Sequence, residues 1–308
     1  MANQLTVKNT LLFSTAGVPA TTDNITTSSD VLALPTAKTV EYKNIGNGAT
    51  GNNKTETVTD LTTTDFTAEV IARTGGALGT APHYGELLKA CGLSETININ
   101  ATTALPIDVT YAPASTFVGG TAQVYLDGSY RDITGVAGDI TFGGKVGELA
   151  KFSFAMKGFT SLGELVGANP TVTVDKSANL KVENASVITV GGTAIPLTSF
   201  EFKTGNVINE TNAVGQNEYY ISDIKPTIKV TAVKTKGVAD HWADLNANTI
   251  KTVVITLGTV AGDKITLTAP YCNPTNASES DDSGKIVYDE TFECQSSAGY
   301  DNFSIVYA

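Results

Sequence analysis

The sequence contains few charged residues, cysteines and histidines. Charged residues make up 17% of the 308 residues, below the roughly one quarter that soluble domains carry. Its three cysteines are far apart and form no CxxC pair, so neither a disulfide framework nor a cysteine-based zinc site is predicted. We expect Cys91, Cys272 and Cys294 to be buried free thiols in a reducing compartment.

Long apolar runs and targeting signals are also missing. The start, Met1–Leu5, lacks a basic n-region and an apolar h-region, so no signal peptide is predicted. No run approaches the roughly 18 apolar residues of a membrane-spanning helix. We therefore expect folding in a cytoplasm and no membrane partner.

Motifs that carry catalysis are missing as well. The sequence contains no GxSxG, HExxH, phosphate-binding loop or dinucleotide fingerprint. Gly143-Gly144 and Gly191-Gly192 are interpreted as turn glycines, and Asp281–Gly284 as a solvated hairpin tip because it lacks the ligand pattern of a calcium loop. The prediction is a protein that is not an enzyme, with no catalytic, cofactor-binding or metal-binding residues and no cofactor.

The two histidines, His83 and His241, each precede an aromatic residue at equivalent places in the two halves of the chain. No cluster with metal-ligand spacing surrounds both of them. A paired metal or acid–base role is the alternative. We interpret both as residues at the start of a helix.

Threonine, serine, asparagine and glycine take the place of charge. Threonine suits a half-exposed pleated surface, and an uncharged polar surface suits contact with neighbouring subunits, whose interface cores contain few charges. The net charge of −11 argues against tight binding of nucleic acid. It is compatible with an acidic wall past which nucleic acid slides, or simply with solubility.

An internal repeat organises the chain. Val40–Lys43 returns as Phe200–Lys203, an offset of 200 − 40 = 160. The same offset relates alternating apolar positions further on: Phe66, Ala68, Val70 and Ala72 with Pro226, Ile228, Val230 and Ala232. A period near half the chain length indicates two copies of one unit.

The hydrophobic pattern predicts a mainly β chain with one short helix in each half. Alternation predicts a half-buried strand at 39–43, and further strands recur to the end of the chain. Two long loops are predicted at 44–65 and 204–220. Several of the other predicted strands and turns are marked by the following positions: 66–73, 122–126, Asp127-Gly128, 138–142, 148–156, 253–257, 265–267, 286–292 and 303–307.

The predicted helices differ in length. The first begins at Pro82, ends before Gly92, and carries the apolar stripe Tyr84, Leu87, Leu88 and Cys91. The second begins at Asp240 as N-cap. In it, Trp242 and Leu245 take the places of Tyr84 and Leu87.

Three segments follow from this organisation. Residues 1–38 are predicted to be an N-terminal arm with two short strands, whose earlier part buries little against its own chain and rests on a neighbouring subunit. Residues 39–165 and 166–308 are predicted to be two tandem β modules of the sandwich or barrel type, each with one short helix.

An ordered set of segments resembles the tail tube (major tail) proteins of long-tailed bacteriophages, here with a duplicated tube module. The resemblance spans most of residues 39–308. It is carried by these pieces: Phe66–Val70, Pro82–Gly92, Tyr125-Leu126-Asp127-Gly128, Gly147-Glu148-Leu149 followed by Phe152-Ser153-Phe154, Phe200–Lys203 and Asp240–Leu245.

The resemblance implies a structural virion protein. Its subunits would form rings, and the rings would stack into the tube that conducts DNA from capsid to host. The implied partners are other copies of the chain, the tape-measure, tail terminator and baseplate proteins, and DNA passing without specific binding. Members with one module are expected to form six-subunit rings, so two modules favour a homotrimer with pseudo-sixfold symmetry, assembled in the host cytoplasm. A secreted or surface β-sandwich adhesin is the alternative, as is a polysaccharide-active enzyme on a β scaffold.

Overall fold

A computed structural model describes residues 8–43, 53–183, 185–235 and 241–308, without the side chain of residue 60. Helix α1 spans Gly85–Ala90 and helix α2 spans His241–Ala247. The strands are β1 Asn9–Ser14, β2 Asn24–Ile25, β3 Leu34–Lys43, β4 Asn53–Ile71, β5 Leu93–Ile99, β6 Pro106–Pro113, β7 Gly120–Leu126, β8 Ser129–Lys145, β9 Lys151–Thr160, β10 Leu165–Val166, β11 Val187–Val190, β12 Thr193–Ala194, β13 Leu197–Lys203, β14 Asn206–Ala213, β15 Gln216–Ile224, β16 Thr227–Val233, β17 Lys251–Leu257, β18 Ile265–Asp282, β19 Lys285–Cys294 and β20 Ser304–Tyr307.

The chain is mainly β, as the hydrophobic pattern predicts, and its largest feature is a row of eight antiparallel strands. We call this row the long sheet; its order is β3-β4-β9-β8-β13-β16-β19-β18. Along the inner strands, buried and more exposed residues alternate, as in β9 and β16. The long sheet therefore has one face on the core and one face toward solvent.

The long sheet divides into two groups of four strands with the same order. In β3-β4-β9-β8, and again in β13-β16-β19-β18, the strands follow the chain order first, second, fourth, third. The groups meet where β8 pairs with β13, from Thr141 opposite Lys203 to Lys145 opposite Ser199. Each helix follows the second strand of its group, α1 after β4 and α2 after β16.

The remaining strands extend the network away from the long sheet. β1 pairs with β2 and β7, and β7 continues to the first half of β8. β11, β17, the first half of β18, β20, β6 and β5 form a second run. One continuous cluster of buried apolar side chains joins both groups. Neither helix in the described part of the chain has the length and apolarity to cross a membrane.

The predicted repeat register holds in one place and fails in another. Ala68 and Val70 in β4, and Ile228 and Val230 in β16, are all fully buried, as predicted. Val40–Lys43, however, lies opposite Asn53–Glu56 in an exposed hairpin, whereas Phe200–Lys203 lies opposite the core strand β16. The sequence similarity of these two segments therefore does not mark equivalent positions.

Both predicted long loops were partly wrong, because strands continue through them. Residues 53–65 belong to β4, which pairs with β3, and residues 206–224 form the β14–β15 hairpin. Residues 44–52 of the first predicted loop lie outside the described residues. Threonine is polar yet favours strands, so polarity alone misplaced these segments.

Three further predictions need correction. The strand at 39–43 is not half-buried, since Val40 is 49% exposed. The early part of the arm does not lie free, because Leu11, Leu12 and Phe13 in β1 are buried against their own chain. Within the predicted arm lie β1, β2 and the start of β3, and the predicted boundary at 38/39 falls inside β3.

Gly143-Gly144 is not a turn but lies inside β8. A Cβ on Gly143 would come within 2.9 Å of the Phe200 carbonyl oxygen, so glycine here permits close approach of β13. The predicted turns at Asp127-Gly128, Gly191-Gly192 and Asp281–Gly284 are confirmed, each with positive φ at its tip. The three cysteines are buried and free, as predicted.

Candidate assembly surface

The long sheet ends in two unpaired strand edges. Among the described residues, β3 pairs only with β4, and beyond Cys272 strand β18 pairs only with β19. Nine of the ten residues of β3 are exposed, including Leu34 at 69%. A long exposed edge presents unpaired N–H and C=O groups that template pairing with another chain.

At the junction between the two groups, strand β8 is covered by its neighbour β13, and side-chain contacts accompany the strand pairing. Phe142 of β8 and Phe200 of β13 meet edge to face with ring centroids 5.2 Å apart. The Thr204 hydroxyl donates to Asp139 Oδ1 at 2.5 Å, and Asn206 Nδ2 donates to the Gly138 carbonyl at 2.8 Å. The junction thus combines strand pairing, an aromatic contact and side-chain hydrogen bonds.

The first strands of the two groups lead into hairpins with different surroundings. The β14–β15 hairpin lies against β8 and β9, where Tyr219 stacks on Phe159 with ring centroids 4.9 Å apart. Ala137 is buried in the same small cluster. The outer part of the β3–β4 hairpin is exposed instead, and its Tyr42 hydroxyl donates to Glu56 within the hairpin, at 2.8 Å.

The solvent face of the long sheet is almost electrically balanced. Along the stretches of β4 to β19 that cover the core, it carries five lysines and six carboxylates: Lys145, Lys151, Lys157, Lys203 and Lys229, and Asp65, Glu69, Asp139, Glu201, Asp289 and Glu293. Four of the lysines lie within 2.6–4.0 Å of one of these carboxylates. The Lys151 hydrogen bond lowers the pKa of Glu69. Most of the net negative charge therefore lies away from this face.

Each histidine contacts a carboxylate that sequence reasoning missed. His83 Nδ1 lies 2.9 Å from Asp175 Oδ2, and His241 Nδ1 lies 3.1 Å from Glu290 Oε2. Both carboxylates are distant along the chain, so local spacing held no signal for them. The described residues include no group of three or more His, Cys, Asp or Glu that could hold a metal ion.

The His241 contact is the more deeply buried of the two. Tyr288 stacks on the His241 ring with centroids 3.6 Å apart, and Glu290 is 2% exposed, its Oε1 having no hydrogen-bond partner among the described residues. Burial lowers the pKa of His241, and burial raises the pKa of Glu290 to about 7. Near neutral pH Glu290 therefore lies close to its titration midpoint, while the neutral form of His241 is favoured.

Helix α1 confirms the predicted stripe, since Tyr84, Leu87, Leu88 and Cys91 are all buried. Helix α2 does not repeat it, because Trp242 is 49% exposed. The predicted N-cap, Asp240, lies outside the described residues.

Comparison with known proteins identifies no family for this chain. No protein-family model matches the chain, and a search of curated proteins finds no match.

Proposed function

We propose that the chain is a structural subunit that closes into a ring of three copies, and that stacked rings form a tube of the phage-tail type. The observation that carries this proposal is the junction inside the chain. There, the third strand in chain order of one group pairs with the first strand of the next. Repeated between copies, the same contact joins β18 of one copy to β3 of its neighbour, the two edges that the described chain leaves unpaired.

The repeated strand order supports two tandem modules. Each four-strand group has the same order, and each is followed, after its second strand, by a short helix. A contact between unlike edges is heterologous, and such contacts close into rings when the rotation allows. Three copies would bring 3 × 8 = 24 strands around one axis, with six similar groups. Closure would remove every free edge of the long sheet.

The two hairpins support the same arrangement. Within the chain, β14–β15 covers the β8–β9 pair of the first group. In a ring, β3–β4 of one copy would cover the β18–β19 pair of the next in the same manner. This would bury Leu34 and Val40, which are 69% and 49% exposed in the single chain.

The solvent face of the long sheet would line the lumen. Its threonines, serines and paired charges offer few unpaired cations to DNA phosphates, and tight phosphate binding depends on such cations. The net charge suggested an acidic wall around the DNA, but the wall in this proposal is nearly neutral, because lysines and carboxylates balance on this face. DNA would pass without specific contacts. Location in the virion tail and contacts with tape-measure, terminator and baseplate proteins belong to the same proposal.

Native mass measurement and electron microscopy of the purified protein test the proposal. We expect trimers and ring or tube particles. The position for an edge-blocking proline follows from two hydrogen bonds: Cys294 N donates to the Pro226 carbonyl on the β16 side, and Gln295 N donates to the Tyr271 carbonyl on the β18 side. Successive N–H groups of β19 therefore point alternately to β16 and to β18. Ala277 lies opposite Glu290, beyond the irregularity between Pro274 and Asn276. Because the N–H of Glu290 points to β16, the two are a non-hydrogen-bonded pair and the N–H of Ala277 points to the free edge.

Ala277→Pro should therefore abolish rings and tubes while the chain stays folded, because proline is tolerated where an edge N–H has no partner among the described residues of its own chain. Ala194→Pro is the matched control. It removes an outward N–H of β12, since Ile195 N is the group that donates to β11, and β12 is not in the long sheet. Rings that survive Ala277→Pro, or a folded wild-type chain that stays monomeric at high concentration, would overturn the proposal.

A further inference from the structure

Two of the three cysteines are direct cross-strand neighbours. Cys272 of β18 lies opposite Cys294 of β19, and their sulfur atoms are 3.8 Å apart. Both side chains are buried, at 0% and 2% exposure. They are 22 residues apart in the sequence, so the spacing alone did not predict the contact.

The pair occupies the kind of sheet position that accommodates a cross-strand disulfide. Cys294 N donates to β16 through the Pro226 carbonyl, and the next residue, Gln295, donates to β18. Cys272 and Cys294 are therefore a non-hydrogen-bonded pair. In such pairs the Cα atoms are about 4.5 Å apart, within the roughly 4.4–6.8 Å that a disulfide requires.

We propose that Cys272 and Cys294 are an oxidation site, forming an intramolecular disulfide when the protein meets a small-molecule disulfide such as oxidised glutathione. The thiolate of one cysteine attacks oxidised glutathione, forms a mixed disulfide and releases one glutathione thiolate. The thiolate of the other cysteine attacks the protein sulfur of that mixed disulfide and releases the second. The two protein thiols are oxidised, one glutathione disulfide is reduced, and the two protons end on two glutathione thiols.

Burial makes this reaction conditional. Hydrogen bonding with Cys272 and burial raise the pKa of the Cys294 thiol, so attack requires opening to solvent. Cys294 ends β19 and is followed by exposed residues 295–300. Opening of this strand end admits the oxidant, and reclosure brings the two sulfurs together. The disulfide would tie β18 to β19, the strand pair that carries the free edge, whether or not the chain forms rings.

Thiol counting on the full chain tests the proposal. The folded protein is incubated with excess oxidised glutathione, then unfolded, alkylated and analysed by intact mass and peptide mapping. We expect one alkylated cysteine, Cys91, and a linked Cys272–Cys294 peptide, with all three thiols restored by dithiothreitol. Cys91 is the internal control, because the sulfur near it belongs to Met156, at 3.8 Å.

Two variants sharpen the result. After oxidation, Cys294→Ser should show two alkylated cysteines and Cys91→Ser none. The unfolding equilibrium constant of the oxidised wild type should fall roughly 100-fold or more, as a closed loop of this length predicts, and that of Cys294→Ser should not change. If Cys294→Ser fails to fold, the wild-type peptide map still decides. Three alkylated cysteines in the oxidised folded protein, a stable glutathione adduct without closure, or a linkage through Cys91 would overturn the proposal.

Discussion

The surroundings of the two helices differ at one shared position in the long sheet. In the first group, Phe152 of β9 pairs with Val70 of β4, and its ring lies 5.1 Å from that of Tyr84. In the second group, Glu290 of β19 pairs with Val230 of β16 and faces His241. An apolar contact thus anchors α1, whereas at the same position of the second group a buried polar pair lies beside α2.

The difference explains why similar apolar spacing gave different packing. Leu87 and Leu88 of α1 are fully buried, and dispersion and burial hold them at any pH. In α2 only His241 is buried. Within the described part of the chain, one oxygen of its partner Glu290 has no hydrogen bond, which is costly when the carboxylate is charged. We therefore expect helix α2 to be less firmly attached to its sheet than α1, and its attachment to depend on the protonation of Glu290.

Leu87→Ala tests the strength of the α1 contact and has the largest expected effect. Truncation of a fully buried leucine should lower the free energy of unfolding by about 2–5 kcal/mol. Leu245→Ala is the matched control in α2. Because Leu245 is only partly buried, the loss there should stay below about 1 kcal/mol.

Urea unfolding of the two variants beside the wild type measures the comparison. Equal losses for Leu87→Ala and Leu245→Ala would contradict the difference in anchoring between the helices.

Glu290→Gln tests the polar pair through its pH dependence. The pKa of Glu290 is raised to about 7 in the folded chain from an ordinary value of 4.5. The folded state therefore holds this proton more tightly than the unfolded state, and the group's contribution to stability is lost as pH rises from about 4.5 to about 7. At pH 8 the glutamine variant should be more stable by on the order of 1–3 kcal/mol, because it is neutral at every pH.

At pH 5 most of this advantage should be absent, since Glu290 is then still protonated when folded and only the loss between about pH 4.5 and pH 5 has occurred. His241, whose pKa burial lowers, is present in both proteins. Asp244, Lys251, Lys234 and Glu279 also act on this pair and are unchanged in the variant. Thermal unfolding between pH 5 and pH 8 measures the difference, and an advantage of Glu290→Gln that is independent of pH would refute the protonation argument.

Sequence patterns predicted what is local and missed what depends on distant partners. Pro82, the apolar stripe and Gly92 are enough to define α1, because the cap signals and the buried face belong to one segment. Trp242 has the same helical spacing but is 49% exposed, because spacing indicates which residues share a face, not what covers that face. Glu290, which contacts His241, lies 49 residues further along the chain, so no local pattern indicated this contact.

The assembly surface was predictable only in outline. Alternation indicated many strands, and the repeat suggested two units. The residues Val40–Lys43 and Phe200–Lys203 look alike because both alternate apolar and charged residues, yet one pairs in an exposed hairpin and the other crosses the core. Strand register depends on partners in space, and no property of either segment alone specifies it.

The two hairpins extend the comparison and give the smallest expected effect. Tyr219→Ala removes the stack on Phe159, at a cost of about 1–2 kcal/mol in local stability. Amide hydrogen exchange of residues 206–224 in the unassembled chain should then quicken by roughly tenfold, since about 1.4 kcal/mol corresponds to a factor of ten. Tyr42→Ala is the control: its ring is 38% exposed, so exchange of residues 53–58 should change by less than about twofold. If amide exchange in isolated chains is as slow in the β3–β4 hairpin as in β14–β15, the β3–β4 hairpin needs no neighbouring copy to cover it. The two hairpins would then no longer support a ring.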